Sequence, residues 1–253
     1  MNVLINNRIA IDKWQTLLSK SPFSSPFQTP EYYKFYNSLD NFSADVFAVE
    51  ENEFLTVLMI ITVQKEKGLK SFFSRRGIIY GGPLINEGKG DSLRYLLNDI
   101  INFYKKKLIY LEVRNYFDYS IFTTTLSDSG FNLIPWLNFQ LNIRETGQML
   151  ARMSSSRARQ IKKALKNDVT WKVAEDLGHV NEFYSILKDL YTTKIKKPLT
   201  PKHFFTEFFK QNMGKYLLVL YNNKVIGGIM CSIMPNRTIF ELYVCGLDKD
   251  YKH

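Results

Sequence analysis

The chain is organised around one stretch, Ser154-Ser155-Ser156-Arg157-Ala158-Arg159-Gln160-Ile161-Lys162-Lys163-Ala164-Leu165-Lys166. Serines are favourable helix N-caps, and Ala, Leu, Lys, Arg and Gln are strong helix formers, so the stretch predicts a helix. The apolar residues Ile161, Ala164 and Leu165 share one predicted face. The opposite face carries four cations, Arg159, Lys162, Lys163 and Lys166. Such a basic face is either a solvated surface or a binding surface for phosphate groups, and the sequence leaves both open.

Arg157 breaks this pattern. It precedes Ile161 by four residues, so it projects from the apolar side at the first turn of the predicted helix. An unpaired charge on a buried side is costly. We therefore expect Arg157 to contact either an internal carboxylate, as a structural ion pair, or an anionic ligand.

Composition places the chain among folded proteins. Its 253 residues are 45% apolar and 15% aromatic, which is enough for one large domain or two ordinary ones. No apolar run approaches the roughly 20 residues of a membrane span, and the first residues do not resemble a signal peptide. The two cysteines, Cys231 and Cys245, suggest neither a disulfide framework nor a metal site. These features predict a cytoplasmic protein.

The positive charge lies almost entirely in the second half. Residues 1–145 contain 16 Lys and Arg against 15 Asp and Glu, whereas residues 146–253 contain 18 against 9, a net charge of +9. This asymmetry predicts an anionic partner for the second half: a phosphorylated small molecule, RNA or an acidic membrane surface.

Local patterns in the first half predict alternating helices and strands. Thr29 and Pro30 mark a helix start, and Glu51-Asn52-Glu53 marks a hairpin turn. The predicted order is helix 11–19, a helix from Pro30, strands Ala44–Glu50, Phe54–Val63 and Gly77–Leu84, helix 90–106, strand Leu108–Val113, helix Tyr119–Ser127 and a strand within Phe131–Ile143.

The second half repeats this order of elements without repeating the residues. Thr200-Pro201 marks a helix start, and Asn222-Asn223 is a strong two-residue hairpin signal. After the basic helix we predict strand Val169–Val173, an amphipathic helix through Val180–Tyr191, a helix after Thr200, strands Tyr216–Tyr221 and Val225–Met234, and strand Thr238–Cys245. The sequence therefore predicts two tandem α+β subdomains, 1–145 and 146–253. We expect the second to be incomplete, because nothing matches the continuation of the first.

The last predicted strand contains the residues best suited to catalysis. Standard phosphate-loop, dinucleotide, serine-hydrolase and metal motifs are absent from the sequence. Strand alternation predicts Glu241, Tyr243 and Cys245 on one face. Glu241 and Tyr243 would suit acid–base catalysis or hydrogen bonding to a substrate. The alternative is a structural Glu paired with a Lys at a sheet edge. Cys245 has little support as a nucleophile, because no neighbour in sequence would lower its pKa.

Three stretches resemble a known family. They are Phe27-Gln28-Thr29-Pro30-Glu31-Tyr32, Arg157-Ala158-Arg159-Gln160-Ile161-Lys162-Lys163-Ala164 and Glu241-Leu242-Tyr243-Val244-Cys245-Gly246. Together with the order of elements, they resemble the Fem-type peptidoglycan aminoacyltransferases of bacteria, which share an acetyltransferase-like (GNAT-like) fold. The chain departs from the family in two respects. The helical hairpin that some members insert in the second domain is not expected here, because residues 174–215 accommodate only two ordinary helices. The C-terminal part that completes the second sheet in the family also has no counterpart in this sequence.

The resemblance implies a function. Family members carry an amino acid from aminoacyl-tRNA to the amine of a nucleotide- or lipid-linked peptidoglycan precursor. Arg157, Arg159, Lys162 and Lys163 would then help to hold phosphates, while Glu241 and Tyr243 would be the catalytic candidates. The resemblance implies neither a metal nor a covalently bound cofactor, and it allows peripheral association with the inner face of a membrane.

Two other functions stay open. One is an acyl-CoA-dependent N-acyltransferase, which would need backbone amides after the third strand to hold the pyrophosphate. The other is an RNA-binding module, which would use the basic half, although the aromatic residues fall at core spacing rather than on an exposed stacking face.

Overall fold

The structure is a computed structural model, and it describes residues 1–65 and 74–247. The chain divides into two compact units, Met1–Trp136 and Leu137–His253. The boundary that we expect from the sequence, after residue 145, lies slightly further along the chain.

The first unit is built on a mixed sheet with four helices. Its strands are β1 (Asn2–Ile5), β2 (Phe42–Glu51), β3 (Phe54–Gln64), β4 (Arg76–Tyr80), β5 (Leu84–Ile85) and β6 (Leu111–Arg114). Its helices are α1 (Ile11–Lys20), α2 (Pro30–Asn37), α3 (Gly90–Tyr104) and α4 (Thr123–Asp128). The strand order is β1-β2-β3-β4-β6, with β5 also paired to β3; β4 and β6 are parallel, and the other pairs are antiparallel.

Both faces of this sheet are covered. On β3, Val57, Met59 and Ile61 are fully buried in a cluster that includes the apolar side of α3. The alternate residues Leu58 and Ile60 are also buried, on the face where α1 and α2 contact the sheet. The near-continuous apolar run of β3 follows from this burial on two sides.

The second unit contains a four-stranded antiparallel sheet and four helices. The helices are α5 (Thr146–Ala151), α6 (Ser155–Lys166), α7 (Leu177–Leu190) and α8 (Lys202–Lys210). The strands are β7 (Thr170–Val173), β8 (Gly214–Tyr221), β9 (Lys224–Met234) and β10 (Thr238–Gly246), in the order β10-β9-β8-β7. In the part of the chain that the structure describes, β10 is therefore an edge strand.

Within residues 137–247, helices cover one face of this second sheet. Phe183 of α7 and Phe208 of α8 contact the ring of Tyr216, which is 1% exposed, with centroids 5.3 and 5.9 Å from it. The other face presents apolar side chains to solvent. We call it the open face, and its exposed members in register are Trp171, Val173, Leu217, Val219 and Val244.

The main helices and hairpins agree with the sequence predictions. Thr29 accepts a hydrogen bond from the Tyr32 amide and caps α2, and both predicted hairpins form. Asn222 and Asn223 turn the second hairpin with φ of 49° and 60°, the left-handed conformation that such a turn requires. Among the described helices, none combines the length and the hydropathy needed to cross a membrane.

One predicted strand was wrong. Residues 131–143 contain no strand, and their apolar side chains lie in solvent: Leu133, Ile134, Trp136, Leu137, Phe139 and Leu141 are 72–88% exposed. The alternation of polar and apolar residues is present there, but a strand also needs a neighbouring strand to accept its hydrogen bonds.

Candidate active site

A β-bulge in β10 separates the two predicted catalytic residues. Glu241 lies opposite Cys231 of β9, whereas Tyr243 lies opposite the adjacent residue Met230, so the register shifts at Leu242. Because neighbouring residues of β9 point to opposite faces, Glu241 and Tyr243 do too. The prediction that they share a face was wrong. Bulges often occur beside active sites, where they redirect a side chain.

Tyr243 lies on the helix-covered face of the sheet. Its hydroxyl is 2.8 Å from the Thr200 hydroxyl, and either oxygen can be the donor. Its ring is 5.0 Å from that of Phe205 and 6.3 Å from that of Tyr191, measured between centroids. Both hydroxyl-bearing residues are partly exposed, so this hydroxyl pair joins an aromatic cluster to a surface that a substrate can reach.

Thr200 has a different position from the one the sequence predicts. We expected it to cap the following helix, but α8 begins at Lys202 with Pro201 as its N-cap, and no side chain caps it. The Thr200 hydroxyl contacts Tyr243 instead, 43 residues away. Local sequence contains no signal for a contact over that separation, so sequence reasoning missed Thr200 as a site residue.

Glu241 is exposed on the other face of β10. In register it flanks Cys231, and Lys215 flanks the same cysteine from β8. Within residues 1–65 and 74–247, Glu241 forms no ion pair, and the Lys215 ammonium instead donates to Asn212 at 3.5 Å. The structural alternative for Glu241, a pair with a lysine at the sheet edge, is therefore not found in this part of the chain.

The cysteines are poor nucleophiles in this environment. Burial raises the pKa of Cys245 to about 12, and its thiol contacts the Phe183 carbonyl at 3.7 Å. Burial, and to a lesser extent the Glu241 carboxylate, raises the pKa of Cys231. A thiol with a raised pKa carries little thiolate near neutral pH.

The basic helix forms as predicted, but its environment differs. Ser154 caps α6 by accepting from the Arg157 amide, and the helix ends at Lys166. None of its twelve residues is buried. Arg157 was predicted on a buried side; that was wrong, because its side chain is exposed and its guanidinium donates to Gln160 at 3.2 Å. The helical period correctly gives the apolar side, but it does not say whether anything covers that side.

The other cations of α6 have no acidic partners in the described part of the chain. Arg159, Lys162, Lys163 and Lys166 are all exposed, and no ion pair to them occurs within residues 1–65 and 74–247. Their predicted role in phosphate binding thus remains a prediction. They lie on α6, whereas the hydroxyl pair joins β10 to the loop before α8.

In the first unit, the stretch from Phe27 to Tyr32 has a structural role. The buried Gln28 amide donates to the carbonyls of Gly82 and Gly81 at 3.0 and 3.3 Å, while its oxygen accepts from the Ser25 amide. Both glycines have positive φ, and a Cβ at Gly81 would lie 2.4 Å from the Ser25 hydroxyl. Gln28 therefore fixes the tight turn that follows β4.

Known structures share this fold. FemX matches 87% of this chain with a TM-score of 0.61 at 14% sequence identity. The chain has the Fem-type fold. It spans 57% of the length of FemX.

Weaker matches include a probable acetyltransferase, with a TM-score of 0.38, 12% identity, and coverage of 57% of this chain and 99% of that protein. An aminoglycoside 6′-N-acetyltransferase from Acinetobacter haemolyticus matches with a TM-score of 0.40 at 11% identity, covering 57% of this chain and all of that protein. Similarity at this level supports no further conclusion. No protein-family model matches the sequence, and no curated protein matches it.

The Fem-type fold confirms the fold class predicted from the sequence, a tandem arrangement of α+β units. The likeness is one of fold.

Proposed function

We propose that this chain is an acyltransferase of Fem type, which transfers an aminoacyl or other acyl group to an amine acceptor such as a peptidoglycan precursor. The observation that carries the proposal is the Fem-type fold over 87% of the chain. The bulged strand and the hydroxyl pair of the second unit support it, because Tyr243 and Thr200 bring two polar groups together at the edge strand of a sheet.

The reaction has defined chemical needs. The acceptor nitrogen forms a bond to the acyl carbonyl carbon, the ester or thioester bond breaks, and the ammonium proton passes to a base while the leaving group takes up a proton. Between these events negative charge develops on the carbonyl oxygen. Oriented hydrogen-bond donors lower the barrier by stabilising that charge.

The hydroxyl pair can supply such a donor. When Tyr243 donates to the Thr200 oxygen, the hydrogen of Thr200 is directed elsewhere and can bond the developing oxyanion. We assign Thr200 to this role and Tyr243 to the group that orients it. Glu241 is the rival catalytic candidate: it lies on the opposite face of β10, so it can serve as the base only for an acceptor bound at the open face and not together with Thr200. Arg157, Arg159, Lys162 and Lys163 are the candidate phosphate contacts of a nucleotide-linked acceptor or of a tRNA donor.

The test is a transfer assay with the purified chain. It uses a nucleotide-linked muropeptide as the acceptor and, in separate reactions, aminoacyl-tRNA and acyl-CoA as donors. We expect an amide product with one of the two, which identifies the donor class. No product with either donor would contradict the proposed function.

Variants then test the assigned residues. Thr200→Val should lower kcat about a hundredfold by removing one oxyanion donor, with an unchanged melting temperature. The matched control is Thr192→Val, because that exposed hydroxyl donates to the Lys188 carbonyl, one turn earlier in the chain, at 2.8 Å. Glu241→Gln should lower kcat by about 10²-fold if Glu241 is the base. If Thr200→Val is as active as the control, Thr200 is not part of the active site.

A further inference from the structure

The basic helix α6 leaves an apolar surface uncovered. Ile161 and Leu165 lie one turn apart and are 42% and 58% exposed. Just before α6, Leu150 of α5 is 57% exposed. A helix of twelve residues is marginal in water by itself, and amphipathic helices gain most of their stability by covering their apolar side.

The same surface is strongly basic. Residues 146–167 contain no Asp or Glu and six cations: Arg152, Arg157, Arg159, Lys162, Lys163 and Lys166. Counting about 100° per residue, Arg157 and Lys162 fall on either side of the strip that Ile161 and Leu165 form. The long side chains of Arg and Lys at these edges can extend past an apolar strip towards anionic groups.

We propose that α5 and α6 bind an anionic membrane surface, with Ile161 and Leu165 entering the boundary between headgroups and acyl chains. The flanking cations then meet the lipid phosphates. A helix with a basic face and an apolar strip lies in the plane of such an interface, held by apolar burial together with attraction to acidic lipids. The complementary charge selects an acidic bilayer over a neutral one.

RNA is the competing partner for a basic helix. It would use the cations alone, since phosphate contacts give no role to an exposed isoleucine and leucine between them. The apolar strip therefore favours the bilayer. This proposal gives the α6 cations to lipid phosphates in place of the substrate or tRNA phosphates named above. Vesicle binding is measured without acyl donor or acceptor, so its failure and a failure of acyl transfer are distinguishable.

The experiment is sedimentation of the full chain with vesicles. One set is pure phosphatidylcholine, and the other contains about a third phosphatidylglycerol, an acidic lipid. We expect binding to the acidic vesicles and at least tenfold weaker binding to the neutral ones. Equal binding to both sets, or binding to neither, would overturn the proposal.

Two double variants identify the surface. Arg157→Gln with Lys162→Gln, the two cations beside the apolar strip, should weaken binding to acidic vesicles by about fivefold for each cation removed. Ile161→Gln with Leu165→Gln should weaken it about tenfold or more through lost apolar burial. Glutamine keeps helix propensity, so circular dichroism should show an intact fold in both.

Matched controls lie in the first unit. Lys105→Gln with Lys106→Gln removes two exposed cations, and Ile109→Gln with Ile121→Gln removes two exposed isoleucines, 64% and 65% exposed. Both controls should bind acidic vesicles like the parent chain. If the α6 variants also bind like the parent, another surface holds the membrane and the proposal fails.

A tRNA titration separates the remaining alternative. The outcome that assigns α6 to RNA has three parts. The chain does not bind vesicles, the cation double variant weakens its binding of tRNA, and Ile161→Gln with Leu165→Gln leaves its binding of tRNA unchanged. That outcome would overturn the membrane proposal.

Discussion

The first unit has a six-stranded mixed sheet and the second a four-stranded antiparallel sheet, and among the described residues only the first sheet is covered on both faces. In the first unit α3 covers one face and α1 and α2 the other. In the second unit α7 and α8 cover the Tyr216 face, while the open face has no cover in the described residues. Exposed apolar side chains occur in both units, for example Ile109 and Ile121 in the first, but the second unit alone leaves a whole sheet face exposed among the described residues. The first sheet is buried on both sides by helices of its own unit, whereas the open face of the second sheet is available for binding.

Hydrogen exchange should show the largest difference between the units. Amides of β3 lie in the middle of a covered sheet, whereas amides of β10 lie in an edge strand with a bulge. Protection of Phe54–Val63 should exceed that of Thr238–Cys245 by about a hundredfold or more, since local opening needs less energy where little is buried. Equal protection of the two strands would contradict the lower local stability that we expect of the second sheet.

Core truncations should follow the same division. Ile61→Ala removes a fully buried side chain from the α3 cluster and should lower the free energy of unfolding by about 2–5 kcal/mol. Leu217→Ala removes a side chain of equal size from the open face, where it is 39% exposed, and should cost less than about 1 kcal/mol. Urea unfolding measures both. A larger loss for Leu217→Ala would mean that the open face is covered in solution.

Acid should produce the smallest of these stability effects, and Glu51 in the first unit is one group through which it acts. Ser92 and Lys89 donate to the Glu51 carboxylate at 2.5 and 2.9 Å. These hydrogen bonds, that from Ser92 first, lower the pKa of Glu51 below its ordinary value of 4.5. Because the folded-state pKa is the lower one, ionised Glu51 stabilises the fold above pH 4.5, and this contribution is lost as the pH falls through the folded-state pKa.

Glu51→Gln should therefore lower stability at neutral pH and weaken its dependence on pH under acidic conditions. Urea unfolding at a series of pH values measures this. Glu53→Gln, which removes a carboxylate from the same turn, is the matched control. An unchanged pH dependence in the Glu51 variant would show that the hydrogen bonds of Glu51 do not contribute to stability.

Local sequence signals predicted the elements of this fold well. Thr29-Pro30 and Asn222-Asn223 fix a helix start and a hairpin through the conformations of a few adjacent residues. Such signals do not depend on distant parts of the chain, and for that reason they were reliable.

The errors arose where distant parts of the chain decide the outcome. Alternation alone does not reveal the bulge that separates Glu241 from Tyr243, because the register depends on β9. Helical period put Arg157 on the apolar side of α6, but its exposure depends on what covers that side. The contact of Thr200 with Tyr243 crosses 43 residues, and the predicted strand in 131–143 lacks a paired strand in the described structure.

The most direct test of this account compares one tyrosine hydroxyl from each unit. In the first unit, the buried Tyr119 hydroxyl is 2.8 Å from the carbonyls of both Gly81 and Pro83. Tyr119→Phe removes this donor from both carbonyls, of which that of Gly81 keeps the Gln28 amide, so it should lower the free energy of unfolding by about 1–3 kcal/mol and leave kcat unchanged. Tyr243→Phe removes the partner of Thr200 and should lower kcat at least tenfold with little change in melting temperature. If Tyr243→Phe instead keeps full activity, while Tyr119→Phe loses activity without losing stability, the second unit does not contain the active site.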